Sequence, residues 1–231
     1  MQSRGNIQVV TFDVGGTLIQ PWPSVGHVYA EIAAGHGFAG ISPGKLNRNF
    51  AAAWRAKNDF QHTLPEWSAL VDQSFAGLCD VPPSRTFFPA IYERFSTADV
   101  WRTYEDVLPA LDALASRDMR LAIVSNWDER LRPLLQQLRL DRYFETFIVS
   151  CEVGFAKPSP VIFEQASKKT GVAPGQILHV GDSFTDDVTG ARAAGCGALL
   201  IDRANAAAGA DRISSLRELE AVVFSSAPGG S

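Results

Sequence analysis

NIQVVTFDVGGTLI, residues 6–19, decides how the rest of the chain is read. A β-branched apolar run ends at Phe12 and predicts a buried strand; Asp13 stands at its carboxyl end, and Gly15 and Gly16 make the turn that follows. That places a carboxylate where a nucleophile would sit, with a glycine two positions on, where a second carboxylate would be useful.

The same pattern returns downstream. RLAIVS runs to Ser125, FETFIVS spans 144–150, QILHVGD spans 176–182, and GALLID closes the series. Between these runs lie stretches with helical spacing: EDVLPALDALASR, DERLRPLLQQLRL, SPVIFEQASKKTG and SFTDDVTGARAAG. Strand alternating with helix predicts a three-layer, Rossmann-like α/β core, a parallel sheet covered by helices on both faces. Residues 20–100 lack a convincing strand and offer the helical stretches VGHVYAEIAAGHG, GKLNRNFAAAWRAK, EWSALVDQSFAGL and RTFFPAIYERFS. The expected division is a core from residues 1–20 and 101–231 and a helical cap from 21–100. Because the insert leaves the chain just beyond Asp13, it is expected over that end of the sheet.

Composition narrows the partners. With 231 residues, 46% of them hydrophobic, the chain can bury a large core. A formal charge of -4 leaves no basic surplus for a nucleic-acid backbone, while a few local cations still suffice for a small anion. Cys79, Cys151 and Cys196 are widely spaced, lack CxxC spacing and read as buried apolar fillers in a reducing compartment. No apolar run reaches the roughly 20 residues that span a bilayer, and MQSRGNIQ lacks a signal's apolar stretch, so a cytoplasmic protein, monomer or homodimer, is expected. SSAPGGS reads as a frayed tail.

Open parallel sheets bind ligands at strand carboxyl ends. The residues there are Asp13, Ser125, Asn126 and the GDS of 181–183, joined by Lys157 in GFAKPSPVIF and by Asp187. This set suits phosphoryl transfer assisted by Mg²⁺. A hard cation takes oxygen ligands such as Asp13 and Asp182. Lys157 stabilises charge on the transferred group, and Ser125 and the N–H groups of the glycine turn, Gly16 included, offer donors to phosphoryl oxygens. Asp13 attacks phosphorus and forms an acyl phosphate.

In this order, FDVGGTLI, IVSN, the lysine before PSP, and VGDSFTDDVTGA resemble the four signature loops of the haloacid dehalogenase-like hydrolase superfamily, over about residues 7–224. The helical insert takes the position of that superfamily's C1-type cap. The resemblance implies Asp13 as nucleophile, Ser125 as phosphate-binding hydroxyl, Lys157 as the third loop's cation, and Asp182 as a metal ligand. Asp187 is implied to bind the Mg²⁺ or hold its waters, and the backbone carbonyl of Gly15 to complete the ligand set.

The departure is Gly15, where phosphatases of this type carry the second aspartate of Asp-x-Asp, their general acid and base. Losing a positioned proton donor costs about 100- to 10,000-fold in rate. Three accounts stay open: a substitute group, with His27, Glu31, His36 and Asp128 as candidates; a substrate with a good leaving group; or a weak enzyme kept for binding. Gly15 also offers positive φ. Branches that cleave carbon–halogen or carbon–phosphorus bonds lack the same aspartate. The pair Asp182 and Asp187 argues for a cation and against halide displacement, and Lys45 and Lys57, the insert's candidates for a phosphonate-cleaving Schiff base, read as solvated helix residues.

Some residues have plainer readings. Asp186 suits a helix first turn, and His179 a hydrogen-bonded core position. The tryptophans are mostly packing, with Trp22 and Trp127 as candidate pocket walls. The chain therefore reads as a Mg²⁺-dependent hydrolase of a small phosphorylated molecule.

Overall fold

The computed structural model describes residues 7–57, 60–205, 209 and 211–224. The SSAPGGS tail, most of the alanine-rich NAAAGA turn and the first six residues fall outside them. The strands are β1 (Val9–Phe12), β2 (Ile19–Pro21), β3 (Trp101–Thr103), β4 (Arg120–Ser125), β5 (Thr146–Val149), β6 (Ile177–Gly181), β7 (Gly197–Ile201) and β8 (Arg212–Ile213). The α-helices are α1 (Val25–Gly35), α2 (Pro43–Ala56), α3 (Leu64–Ser74), α4 (Phe88–Arg94), α5 (Val107–Ala115), α6 (Leu131–Gln137), α7 (Ser150–Val153), α8 (Pro160–Thr170), α9 (Gly190–Ala193) and α10 (Leu219–Phe224).

Two compact units emerge. The first comprises residues 1–19, 103–126 and 139–231, the second residues 20–102 and 127–138. The first holds a six-stranded sheet in the order β5-β4-β1-β6-β7-β8, every adjacent pair parallel. β1 is central because its four residues are all buried, as a strand covered on both faces must be. One face, carrying Val9, Ala122, Val124, Ile148, Ala198 and Leu200, packs on Ile162, Phe163 and Ala166 of α8 and Ala191 of α9. α5 packs on β4 and buries Val107, Ala110, Leu111 and Leu114. This is the Rossmann-like α/β arrangement expected of the sequence.

The expected core of 1–20 and 101–231 differs from the observed unit at its edges, residues 20 and 101–102, and in one internal segment. Residues 127–138, with α6, group with the helical unit. The reason is local bonding: Asp128 accepts from Trp67 Nε1 at 3.0 Å, Arg130 donates to the Tyr92 carbonyl at 2.8 Å, Gln137 donates to the Ser96 carbonyl at 3.0 Å, and Trp127 lies tilted against Trp101. α1 to α4 of this unit close around Tyr29, Leu46, Val71, Phe75, Phe87 and Ile91. No helix among the described residues is long and apolar enough to cross a membrane.

The cysteine reading holds for one of three. Cys196 is buried, and burial pushes its thiol up to about 11. Cys79 is half-buried, and Cys151 faces solvent from α7.

Candidate active site

The three central strands deliver the site. Asp13 follows β1, Ser125 ends β4 and Asp182 follows β6, so the sheet order β4-β1-β6 places all three at adjacent carboxyl ends. Lys157 arrives from the β5–α8 connection, fixed there by Asn126. The Asn126 side chain donates from Nδ2 to the Lys157 carbonyl at 2.9 Å and accepts the Lys157 N–H at Oδ1 at 2.6 Å. Asn126 was expected to meet substrate; its carboxamide instead clamps the lysine loop.

Lys157 is buried and donates three times: to Asp13 Oδ1 at 2.7 Å, to Asp187 Oδ1 at 2.6 Å and to the Val124 carbonyl at 3.1 Å. Asp13 Oδ1 also accepts the Ser125 hydroxyl at 2.9 Å. Asp187, buried at the base, accepts the Ser183 N–H on Oδ2 at 2.9 Å and meets His179 Nε2 through Oδ1 at 3.0 Å. It comes from a π-helical turn, Phe184–Thr189, whose wider winding carries the side chain back over β6. Asp186, in the same turn, gives its N–H to Ser183 Oγ, in keeping with a first-turn acid.

The glycine turn is arranged differently from the expectation. The left-handed residue is Gly16, at φ +78°, rather than Gly15. Its N–H donates to the Ile19 carbonyl at 2.8 Å, so the donor expected to meet a phosphoryl oxygen closes the turn instead. Gly16 is required there for a second reason: a Cβ would lie 2.3 Å from Asp182 Oδ2.

Ligand oxygens of Asp13, Asp182 and Asp187 lie within 4.8 Å of one another. Against these three carboxylates stands one ammonium. Burial drives the Asp13 carboxyl above its ordinary value, with Lys157 opposing and Asp187 repelling. Asp182 is pushed up to about 7 by desolvation and then by Asp13 and Asp187. Burial opposes ionisation of Asp187 too, but Lys157 and His179 overcome it and hold it well below the carboxylate range. Lys157 is raised because its two carboxylates outweigh its own burial. Asp13 and Asp187 thus divide one ammonium between them, and the cluster of three carboxylates is left short of positive charge. His179 is held below its ordinary value by burial.

The substitute proton donors proposed for Gly15 all belong to the helical unit and have partners inside it. Asp128 is buried and receives Arg130 through both oxygens besides Trp67. His27 meets Ser24 Oγ at 2.7 Å, His36 meets the Ile32 carbonyl at 2.9 Å, and Glu31 lies 4.0 Å from Arg94. Lys45 is exposed, and Lys57 stands 4.1 Å over the Trp54 ring. Trp22, 44% exposed, lies under the Arg102 guanidinium.

Comparison with known proteins gives a consistent picture. A haloacid dehalogenase-like hydrolase family profile matches residues 7–195. The chain is 32% identical over 207 residues to haloacid dehalogenase-like hydrolase domain-containing protein 3 of Xenopus laevis, covering 85% of this chain and 84% of that one. Over 107 residues it is 33% identical to the glyceraldehyde 3-phosphate phosphatase of Methanothermobacter thermautotrophicus, covering 44% and 45% of the two chains. Among solved structures, the HAD phosphatase from Thermococcus onnurineus superposes with a TM-score of 0.67 at 26% identity, covering 94% of this chain and 98% of that one.

Proposed function

The chain belongs to the haloacid dehalogenase-like hydrolase family and is a hydrolase, and on that premise we propose that it is a Mg²⁺-dependent phosphatase acting on a small phosphorylated molecule through an aspartyl-phosphate at Asp13. One observation carries the reading: the oxygens of three carboxylates lie within 4.8 Å of one another around the Lys157 ammonium, with Asp13 and Asp182 raised in pKa by burial and then by their carboxylate neighbours. A divalent ion held by Asp13, Asp182, the Gly15 carbonyl and, directly or through water, Asp187 meets that deficit with the hard oxygen donors it prefers. When bound, the ion neutralises phosphate charge and polarises the phosphoryl group.

The residues of the chain do the rest. Lys157 and Ser125 both bond Asp13 Oδ1, so one oxygen of the nucleophile is anchored and Oδ2 is left to attack in line. Lys157 also supplies the positive charge that a transferring phosphoryl group requires. The glyceraldehyde 3-phosphate phosphatase and HAD phosphatase named above are relatives whose chemistry agrees with this reading. Gly15 removes the usual proton donor to the leaving oxygen, which favours substrates with acidic leaving groups such as aryl or acyl phosphates. The test is release of phenolate from an aryl phosphate with and without Mg²⁺. Turnover is expected only with the metal and is lost in Asp13→Asn; metal-independent turnover, or an Asp13→Asn variant as active as the parent, refutes the proposal. Silence across a broad phosphate panel favours a catalytically impaired binding protein instead.

A further inference from the structure

Beneath the carboxylates the sheet carries a polar pair that the phosphatase reading leaves without a role. Thr11 and His179 are register partners on the parallel strands β1 and β6, and both are fully buried. They share the sheet face that packs on α8, where Phe163 meets the imidazole edge-on, ring centroids 5.0 Å apart. A hydroxyl and an imidazole placed in such a layer are costly unless bonded. Both are: Thr11 Oγ1 and His179 Nδ1 lie 2.9 Å apart, and His179 Nε2 lies 3.0 Å from Asp187 Oδ1.

The chemistry orders these bonds. An ionised carboxylate only accepts, so Nε2 carries the proton; in the neutral ring Nδ1 then accepts, and the Thr11 hydroxyl donates to it. The next residue of β6 on this face is Gly181, and its missing side chain is what admits Asp187. A Cβ there would stand 2.1 Å from Asp187 Cγ. The carboxylate comes down into that gap and meets His179 Nε2 while the same oxygen meets Lys157 Nζ at 2.6 Å.

We propose that the Thr11–His179 pair is a positioning device, in which the Thr11 hydroxyl anchors the imidazole by donating to Nδ1 and the Nε2–H holds Asp187 Oδ1 at the point where Lys157 is tethered beside Asp13. His179 touches neither substrate nor nucleophile; it acts through Asp187. The catalytic consequence rests on the phosphatase reading, whereas the tautomer and the tether do not.

The experiment uses the full chain with ¹⁵N-labelled imidazoles, and the variants Thr11→Val, His179→Gln and His179→Phe. Imidazole ¹⁵N spectra are expected to show His179 protonated at Nε2, and Thr11→Val is expected to shift the unprotonated Nδ1 resonance as its hydrogen bond is lost, with the proton staying on Nε2. His179→Phe should lower kcat on an aryl phosphate, and Mg²⁺ affinity by calorimetry, by about 10- to 100-fold, the usual range when a group supporting a metal ligand is lost, with KM little changed. His179→Gln retains an N–H donor and should recover most of both. Protonation at Nδ1, an Nδ1 resonance unchanged in Thr11→Val, or a Gln variant no better than a folded Phe variant overturns the proposal. If His179→Phe does not fold, Thr11→Val and His179→Gln decide it. If the parent protein hydrolyses no phosphate ester, the phosphatase reading fails on its own, and the spectra and Mg²⁺ affinities still decide the positioning role.

Discussion

Replacing Lys157 by methionine isolates the charge on which the site is balanced. Methionine keeps an unbranched stem of similar length and removes the ammonium that reaches Asp13, Asp187 and the Val124 carbonyl. Asp187 retains the His179 and Ser183 donors, and Asp13 retains the Ser125 hydroxyl and the Val14 N–H, so each carboxylate keeps neutral donors and Asp13 is stranded without a cation. Removing one partner of a buried ion pair costs about 3–5 kcal/mol. That is a large part of the roughly 5–15 kcal/mol that holds a domain folded. Two controls separate charge from packing. Asp13→Asn placed on the Lys157→Met background removes the stranded carboxylate and should recover at least about 1 kcal/mol, the coupling expected of residues in contact. Saturating Mg²⁺ should stabilise the methionine variant more than the parent, because the ion then supplies the positive charge that the ammonium supplies in the parent. The assay needs care over location: all five tryptophans lie in the helical unit, so their fluorescence reports on that unit. Unfolding of the sheet is followed by urea-dependent amide exchange in β1, β4 and β6. A methionine variant within about 1 kcal/mol of the parent, or a double variant no more stable than the single, refutes the charge balance described here.

Three other outcomes are expected. Gly15→Asp restores a carboxyl near the leaving oxygen and should raise kcat on alkyl phosphates more than on aryl phosphates; equal effects on both show that proton donation is not what limits turnover. Gly16→Ala forces a side chain into the left-handed region, costing about 1–2 kcal/mol, and drives its Cβ into Asp182, so calorimetry should show weakened Mg²⁺ binding; unchanged affinity would remove Asp182 from the ligand set. Asp106, away from the site, meets a pH test: burial opposes its charge, but Arg203, the Leu216 N–H and Ser215 hold its pKa below the ordinary 3.8. A depressed folded-state pKa means stability present above 3.8 and lost as pH falls through the lower folded value. Asp106→Asn should therefore flatten the acid limb of urea midpoints measured against pH, and an unaltered limb would assign acid lability elsewhere.

The sheet was legible because strands buried on both faces have few residues to choose from. VVTF, RLAIVS and ILHVG each read as apolar runs that end in, or just before, a chemical residue, and those ends became the adjacent ends of β1, β4 and β6. β8 was not legible, since two residues, Arg212 and Ile213, carry no period. The segment 127–138 was misplaced because its spacing fits a helix of either unit; what decides is side-chain bonding by Asp128 and Arg130, which composition does not encode.

The site divides along the same line. Residue types announce chemistry, so Asp13 and Asp182 could be gathered from strand ends, and Lys157 and Asp187 from the segments that follow β5 and β6. Where a donor points is set by backbone closure. Gly16 looked like a phosphate donor because glycine turns expose N–H groups, yet this turn spends that N–H on Ile19. Asn126 looked like a substrate contact because it follows Ser125, yet its carboxamide matches the peptide edge of Lys157. His179 gave one usable signal in retrospect. A histidine followed two residues later by glycine on one face of a buried strand leaves a gap beside an imidazole, and a polar group must fill it or the nitrogen goes unbonded. Asp187 fills it, so the glycine of VGD is as much a part of the carboxylate site as the aspartate that follows it.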